Sequence, residues 1–547
     1  MGWLPPLMPL ILALGLAMAC PQAAELLLVN GTIYTGAQPG RPLAALAIAD
    51  GRVLAVGSEA KRCAGPQTRV IDLAGATVLP GFIDAHAHPR ALGESFDLLD
   101  LRQTVSPEAV ARKVADFAKR RAPGSWIVGR GWDQNLWSSR RFPTKAVLDA
   151  VTSQHPVVLF RIDGHACWVN SVALRLANID RNTPDPPGGK ILRLPDGSPS
   201  GLLVDRAQTL VTRHIPPPSF EQVITQLKRA LAHCARLGLT MIHDAGADEL
   251  TIQAYLELER SGQLPIRVYA MIPAPSPAWD EWRKRGPYRG QHLTIQAVKL
   301  IADGALGSRG AALLDDYADD PGNRGLLLLT PEQTQQLIRQ AMDTGFQVAT
   351  HAIGDAANRM VLDVYAAYLK PGNGRRFRIE HAQVIAPEDF ARFGQLSVIA
   401  SIQPTHATSD MAWAPARLGS ARLAGAYAWR KLLQNGAVLA CGSDFPVEDP
   451  NPLLGIYAAI TRQDLTGHPP GGWFPHERMT RDEALRCWTW AGAYAAFLEN
   501  ELGELAPGKR ADLVVLSGDI LRLPESEIPK VHVKMTMVDG KIVYQEP

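Results

Sequence analysis

A chain of 547 residues, 46% hydrophobic and 20% charged, has the composition of an ordinary globular protein with room for about two to four domains. Its formal net charge is +2 and no Lys/Arg-rich tract occurs, so nothing electrostatic recommends nucleic acid or acidic lipid as a partner. Its cysteines, Cys20, Cys63, Cys167, Cys234, Cys441 and Cys487, include no C-x-x-C pair, and most sit in apolar runs. They read as small buried hydrophobes, not as a disulfide framework or a zinc cage.

Residues 1–24 read as a secretory signal. Leu4 to Ala19 is almost wholly apolar, is broken by Pro5, Pro6 and Pro9, and is followed by small residues. It is too short for a spanning helix. Its first residues carry no Lys or Arg. Cys20 after Leu16-Ala17-Met18-Ala19 loosely resembles a lipoprotein processing site, which would make a lipid anchor the only link to a membrane. The expected destination is the periplasm or the medium.

From Glu25 to residue 77 short Val/Ile/Leu-rich strands alternate with turns at Asn30-Gly31, Asp50-Gly51 and Ala74-Gly75. Residues 506–547 repeat that pattern, with a turn at Asp539-Gly540. An isolated hairpin is barely stable in water, so the two sets are expected to combine into one small β-sandwich built from both termini.

The stretch Val78–Pro89 reads V-L-P-G-F-I-D-A-H-A-H-P: an apolar strand that ends in His86 and His88. Strand positions i and i+2 share a face, so both imidazoles can reach one point, as a shared metal ion requires. Residues 90–218 break the later rhythm. A helix is expected from Ser106-Pro107-Glu108 to Arg121, strands over Trp126–Trp132 and Pro156–Ile162, and loop from Arg181 to Gly201. This stretch is expected to be an insertion subdomain over one end of the main body.

From Ser219 to residue 505 helix and strand alternate, with capping boxes at Ser219/Gln222, Thr330/Gln333 and Thr480/Glu483. Apolar runs at Leu239–His243, Ile266–Ile272, Ile295–Ile301, Gln347–His351, Phe377–His381, Val398–Gln403 and Val438–Cys441 join residues 78–89 to give about eight strands. The fold class is therefore α/β, a distorted (β/α)8 barrel; an open doubly wound sheet lacks its G-x-G-x-x-G signature. Reactive groups of such barrels gather at the C-terminal strand ends. Here those ends carry His86, His88, Lys299, His351, His381 and Asp444. Taken singly, each has a plainer explanation: a core histidine, a lysine paired with Asp303, a helix-capping aspartate. Their recurrence at five strand ends favours a metal site.

The motifs H-A-H, K-L-I-A-D-G-A-L-G-S-R, H-A-I-G-D, E-H-A-Q, S-I-Q-P-T-H and G-S-D-F-P resemble the metal-dependent amidohydrolase superfamily. More narrowly they are similar to amidohydrolase family 3, the N-substituted formamide deformylase-like branch, whose signatures W-D-Q (Trp132–Gln134) and R-I-D-G-H-A-C-W-V-N-S (Arg161–Ser171) also occur. The resemblance implies that His86 and His88 bind one metal, that His351 and His381 bind another, and that Lys299 is carbamylated and bridges them. Zinc suits these ligands best, as one or two ions, with manganese, iron or cobalt as alternatives. It further implies that Asp444, also a ligand, moves the proton from the attacking water to the leaving nitrogen of a small-molecule amide. His165, Trp132, Trp168 and His406 are candidates for the substrate pocket, with ordinary packing as the alternative. Asp303 and Arg309 either face substrate or brace the loop after Lys299. Self-association is left open. The rival readings are the same site acting on cyclic amides, esters or phosphoesters, and a non-catalytic metal-containing regulatory protein.

Overall fold

The computed structural model describes residues 20, 22–36, 41–162, 164, 166–186 and 188–547. The expected signal at Leu4–Ala19 and the candidate His165 lie outside the described residues. The chain forms two compact units: one takes the described residues up to His88 together with Leu231–Ile252 and Glu259–Pro547, the other Pro89–Ala230 and Gln253–Leu258.

In the first unit eight parallel strands make a nearly closed barrel. They are β1 (Phe82–Ala87), β2 (Leu239–Asp244), β3 (Arg267–Pro273), β4 (Leu293–Ile301), β5 (Gln347–Ala352), β6 (Arg378–His381), β7 (Ile399–Ile402) and β8 (Val438–Cys441), hydrogen-bonded in that order. All positions of β1, β6 and β7 are buried, as in parallel strands covered on both faces. The seam between β8 and β1 is made just beyond the strands. Asp444 N–H donates to the His86 carbonyl at 2.8 Å, His88 N–H to the Phe445 carbonyl at 2.9 Å, and the Ser443 hydroxyl to the Asp84 carboxylate at 2.6 Å. Both bonds of the capping box form at Thr330/Gln333 and at Thr480/Glu483, where the sequence predicts them.

The barrel interior is layered. Near the strand starts Met241, Tyr269, Ala297 and Ala349 pack with Ala493, Ala496 and Leu502 from the C-terminal part of the chain. Tyr269 donates to Gln347 across this layer at 3.0 Å. One inward step further along, the layer turns polar, with His243, Arg378 and Ser401 in hydrogen-bond contact. The strand ends beyond it carry the candidate ligands.

The two termini do combine, but into one hydrogen-bonded sheet of eight strands and not two stacked sheets. It curls so that Leu28, Leu46 and Ile48 share a core with Leu513, Met535 and Met537. The boundary expected at residue 77 also moves. Thr77–Pro80 pairs with Leu513–Leu516 in this sheet, and β1 of the barrel starts only at Phe82. Gly81 turns the chain between them: a Cβ there would sit 2.2 Å from a Thr240 methyl. A single apolar run in the sequence thus serves two sheets.

The second unit has a six-stranded sheet of Gly189–Arg193, Pro199–Asp205, Ala166–Val169, Val157–Arg161, Ile127–Trp132 and Leu99–Asp100, in that spatial order. The expected loop over Arg181–Gly201 is corrected here. Its Pro and Gly lie at the ends and turn of a hairpin, and its first strand has too short an apolar run to register as one. The unit also extends past the expected 90–218 limits.

The cysteine expectation is overturned for four residues. Cys20 pairs with Cys63 and Cys441 with Cys487, across 43 and 46 residues of sequence. No local spacing records such pairs, because folding alone brings them together. Cys167 and Cys234 are free and buried, as expected of small hydrophobes. Alkylation of the denatured, unreduced chain is expected to label Cys167 and Cys234 alone, with the other four reacting after reduction, as read by peptide mass. Label on Cys441 or Cys487 before reduction would contradict their pairing.

Candidate metal centre

The centre lies wholly within the first unit and begins with three residues on one face of the first strand and its exit: Asp84, His86 and His88. His86 Nδ1 is 2.5 Å from Glu380 Oε2. A carboxylate only accepts, so Nδ1 carries the proton and Nε2 keeps its lone pair for the cavity. Lys299 Nζ lies 3.3 Å from that Nε2. Asp444 Oδ1 is 3.0 Å from His88 Nε2 and 3.6 Å from His86 Nε2, while its Oδ2 is 3.9 Å from His406 Nε2. The His381 ring centroid is 4.9 Å from that of His86 and 4.6 Å from that of His351. All six predicted ligands line one cavity of about 530 Å3.

Two groups of donor atoms fall within 4.8 Å of one another: His86, His88 and Asp444, and His381, His406 and Asp444. β6 and β8 reach this arrangement through unusual backbone. His381 and Asp444 have φ of 72° and 58°, in the left-handed region that residues with a Cβ rarely adopt. These turns swing the two side chains off the strand direction at the mouth.

Electrostatics prepare the donors. Burial, and then the charge of Lys299, push His86 down to about 4 and His351 to about 3. Burial, reinforced by His351 and His86, holds His381 well below the ordinary histidine range. These imidazoles are neutral at pH 7, the form that binds metal. Burial also lowers Lys299 to about 8, so roughly a tenth of its amine is uncharged at pH 7, far more than for an ordinary lysine. Burial works against ionisation of Asp444, but the His88 hydrogen bond and the surrounding imidazoles outweigh it and hold the carboxyl below its usual range.

Beneath the ligands runs a buried polar chain. Arg378 donates to both oxygens of Glu380 at 2.7 and 2.9 Å, to His243 Nδ1 at 2.7 Å and to Ser401 at 3.0 Å. Burial raises the Glu380 carboxyl, but Arg378 and then His86 overcome it, and the group stays ionised. On the other side His381 Nδ1 meets Gln403 Oε1 at 2.8 Å, which leaves His381 Nε2 as the free donor.

A divalent cation fits this donor set. The Nε2 atoms of His351 and His406 are buried without a hydrogen-bond partner among the described residues, beside a desolvated carboxylate and neutral imidazoles. Buried ring nitrogens are rarely left so, and a metal ion satisfies them while neutralising Asp444.

Of the other described candidates, His406 stays at the cavity and the rest are placed elsewhere. Trp132 and Trp168, expected at the substrate, belong to the core of the second unit: both are fully buried, they pack with Trp137, and their indole N–H groups donate to the carbonyls of Leu159 and Thr144. Asp303 takes the bracing role. Its carboxylate accepts from the N–H groups of Ala312, Ile353 and Gly354 at 2.8–3.0 Å, and burial raises it to about 7. Arg309 spends its guanidinium on Asp319, again bracing a loop instead of facing substrate. His406 lines the cavity. Sequence reasoning passed over Glu380, Gln403, Arg378 and Asp84 as functional positions. The signal was present: charged or amide residues inside otherwise apolar strands, at inward-facing spacing.

Comparison with known proteins agrees with this geometry. The sequence pattern of the amidohydrolase family matches residues 69–544. Protein LONG AFTER FAR-RED 3 of Arabidopsis thaliana is 38% identical over 543 residues, covering 95% of this chain and 92% of its own length. The N-substituted formamide deformylase of Arthrobacter pascens is 27% identical over 550 residues, covering 96% of this chain and 99% of its own. Among solved structures, an uncharacterized metal-dependent hydrolase from Pyrococcus horikoshii OT3 superposes with a TM-score of 0.77 at 30% identity, covering 91% of this chain and 99% of that one. The barrel, its His/Asp groups and a match over this span lead to one conclusion: the chain belongs to the amidohydrolase family.

Proposed function

We propose that this protein is an exported, metal-dependent hydrolase that cleaves the C–N bond of a linear or N-substituted small-molecule amide. The observation that carries the proposal is the ionised Asp444 carboxylate, with one oxygen toward His88 at 3.0 Å and the other toward His406 at 3.9 Å, in a cavity of about 530 Å3. The amide preference draws support from the deformylase relative, whose printed activity is on an N-substituted formamide. Apolar walls from Ile301, Leu306, Ile353, Trp413 and Val447 suit an apolar acyl or N-substituent.

His86, His88, His351, His381 and Asp444 would hold one or two divalent ions, zinc by ligand chemistry, with a carbamate on Lys299 as a further ligand. The uncharged fraction of Lys299 is the form that adds CO2, which supports that modification. Bound there, such an ion supplies a water acidified from about 15.7 toward about 7 and a Lewis acid for the carbonyl. Asp444 then accepts a proton from the attacking water and delivers it to the departing nitrogen. Glu380 keeps His86 in one tautomer throughout, and Gln403 does the same for His381.

The Cys441–Cys487 pair, which lies outside the expected signal, supports an oxidising destination, in line with export.

The test is a panel of N-alkylformamides, N-acyl amines, cyclic amides, esters and phosphoesters, run before chelation, after it and after zinc add-back. Linear amide turnover that is lost with chelator and regained with zinc is expected. Turnover of esters or phosphoesters alone would replace the substrate class, and no turnover by metal-loaded protein would retire catalysis. Asp444→Asn is expected to lower kcat by about 10²–10⁴-fold with unchanged circular dichroism. Glu380→Gln should weaken zinc retention about 10–100-fold in competition with a chromophoric chelator.

A further inference from the structure

We propose that the cavity selects amides whose N-substituent ends in a cationic nitrogen, an ammonium or amidinium group, and that Asp410 and Glu448 receive it. This rests on the hydrolase reading above and names the substrate class that the reading leaves open.

The first observation is the wall of the cavity away from the six predicted ligands. Besides His406, its polar side chains among the described residues are Gln383, Ser409, Asp410 and Glu448, and the rest is apolar or small. Lys299 is the one Lys or Arg on the wall, and it stands at the metal centre against His86. The part of the cavity left for a substituent therefore carries two carboxylates and no fixed cation to offset them.

The second observation is how these two acids are held. Among the described residues neither forms an ion pair, and the hydrogen bonds they accept come from neutral donors: the Tyr427 hydroxyl to Asp410 Oδ2 at 2.6 Å, and the Ser409 hydroxyl to Glu448 Oε1 at 2.6 Å. Elsewhere in this unit partly or fully buried acids are given guanidinium partners. Arg309 and Arg417 share Asp319, and Arg359 and Arg392 share Asp389. Burial raises the Asp410 carboxyl above its ordinary value; the Tyr427 bond opposes this and the charge of Glu448 adds to it. A desolvated carboxylate beside a like charge is completed by a cation, and here the protein supplies none.

The third observation is position. His406 and Asp410 lie four residues apart on the helix Pro404–Asp410, so they share a face and are separated by about 6 Å of rise. His406 faces Asp444 Oδ2 at 3.9 Å, and Glu448 follows Asp444 by four residues after β8. Both acids thus lie a short way along the chain from a residue of the metal centre. A spacer of about four methylenes covers that rise, and the apolar wall suits it.

The test uses the zinc-loaded full-length protein and three formamides that differ only at the far end of the N-substituent: N-(4-aminobutyl)formamide, N-pentylformamide and 5-formamidopentanoate. The matching methanesulfonamides, which have no carbonyl to attack, are titrated by calorimetry so that binding is read apart from turnover. Both kcat/KM and affinity are expected to favour the ammonium over the methyl compound by about 10–100-fold, with the carboxylate poorest. Asp410→Asn and Glu448→Gln should each shrink that ratio about tenfold, and Glu448→Arg should move the preference toward the carboxylate. Glu448→Gln keeps the shape of the side chain and an acceptor for Ser409, so it reads charge even where Asp410→Asn disturbs Tyr427. Equal values for the ammonium and methyl compounds, or a preference that survives both substitutions, would overturn the proposal, and formamide turnover would then leave the hydrolase reading standing. An ammonium preference among the sulfonamides with no turnover of any formamide would retire hydrolysis and keep the cation site.

Discussion

The centre depends on a carboxylate kept charged where water cannot reach it. Glu380 is fully buried between the Arg378 guanidinium and the His86 ring. Left unpaired, an ionised carboxyl in that position costs about 3–5 kcal/mol, and the alternative is a protonated one. Arg378 removes that choice. With Glu380 ionised, His86 must carry its proton on Nδ1, and the lone pair on Nε2 points to the cavity. One ion pair in the barrel interior therefore fixes the tautomer of a ligand at the mouth, and His243 and Ser401 share the guanidinium that makes it so.

The same economy governs the seam. Asp84 receives the Ser443 hydroxyl and backbone N–H groups from both sides of the join, and across it Asp444 N–H donates to the His86 carbonyl and His88 N–H to the Phe445 carbonyl. The place where the barrel closes is the place where two ligands meet. Left-handed backbone at Asp444, worth about 1–3 kcal/mol of strain, is held within these bonds. Strain and ligation share residues because the turn that bends a strand end also aims its side chain.

Much of this was legible in the sequence. Barrel strands buried on both faces leave largely apolar runs at a regular rhythm, and the spacing of His86 and His88 survives any detail of packing. The strand-end residues were found because polarity is conspicuous where a run should stay apolar. What escaped notice had no local record. Trp132 and Trp168 fill the second unit's core by pairing with residues far along the chain, and a tryptophan beside a conspicuous motif gives no sign of whether it faces inward or outward. The disulfides join segments 43 and 46 residues apart. Residues 78–80 looked continuous with β1 because hydrophobicity does not say which sheet a strand joins; the Leu513–Leu516 partner decides it. Arg378 and Glu380 were visible as letters, but an ion pair inside a strand is not a pattern that periodicity detects.

The division of that run at Gly81 bears on how the molecule comes to be assembled. Thr77–Pro80 leads directly into the first barrel strand, yet it lies against Leu513–Leu516, near the opposite end of the polypeptide. While the ribosome has yet to deliver those last residues, the segment ahead of His86 and His88 lacks its neighbour. Contacts so distant in sequence form slowly, because the closure entropy must be met before they contribute. Completion of the first unit is thus deferred until translation is nearly done.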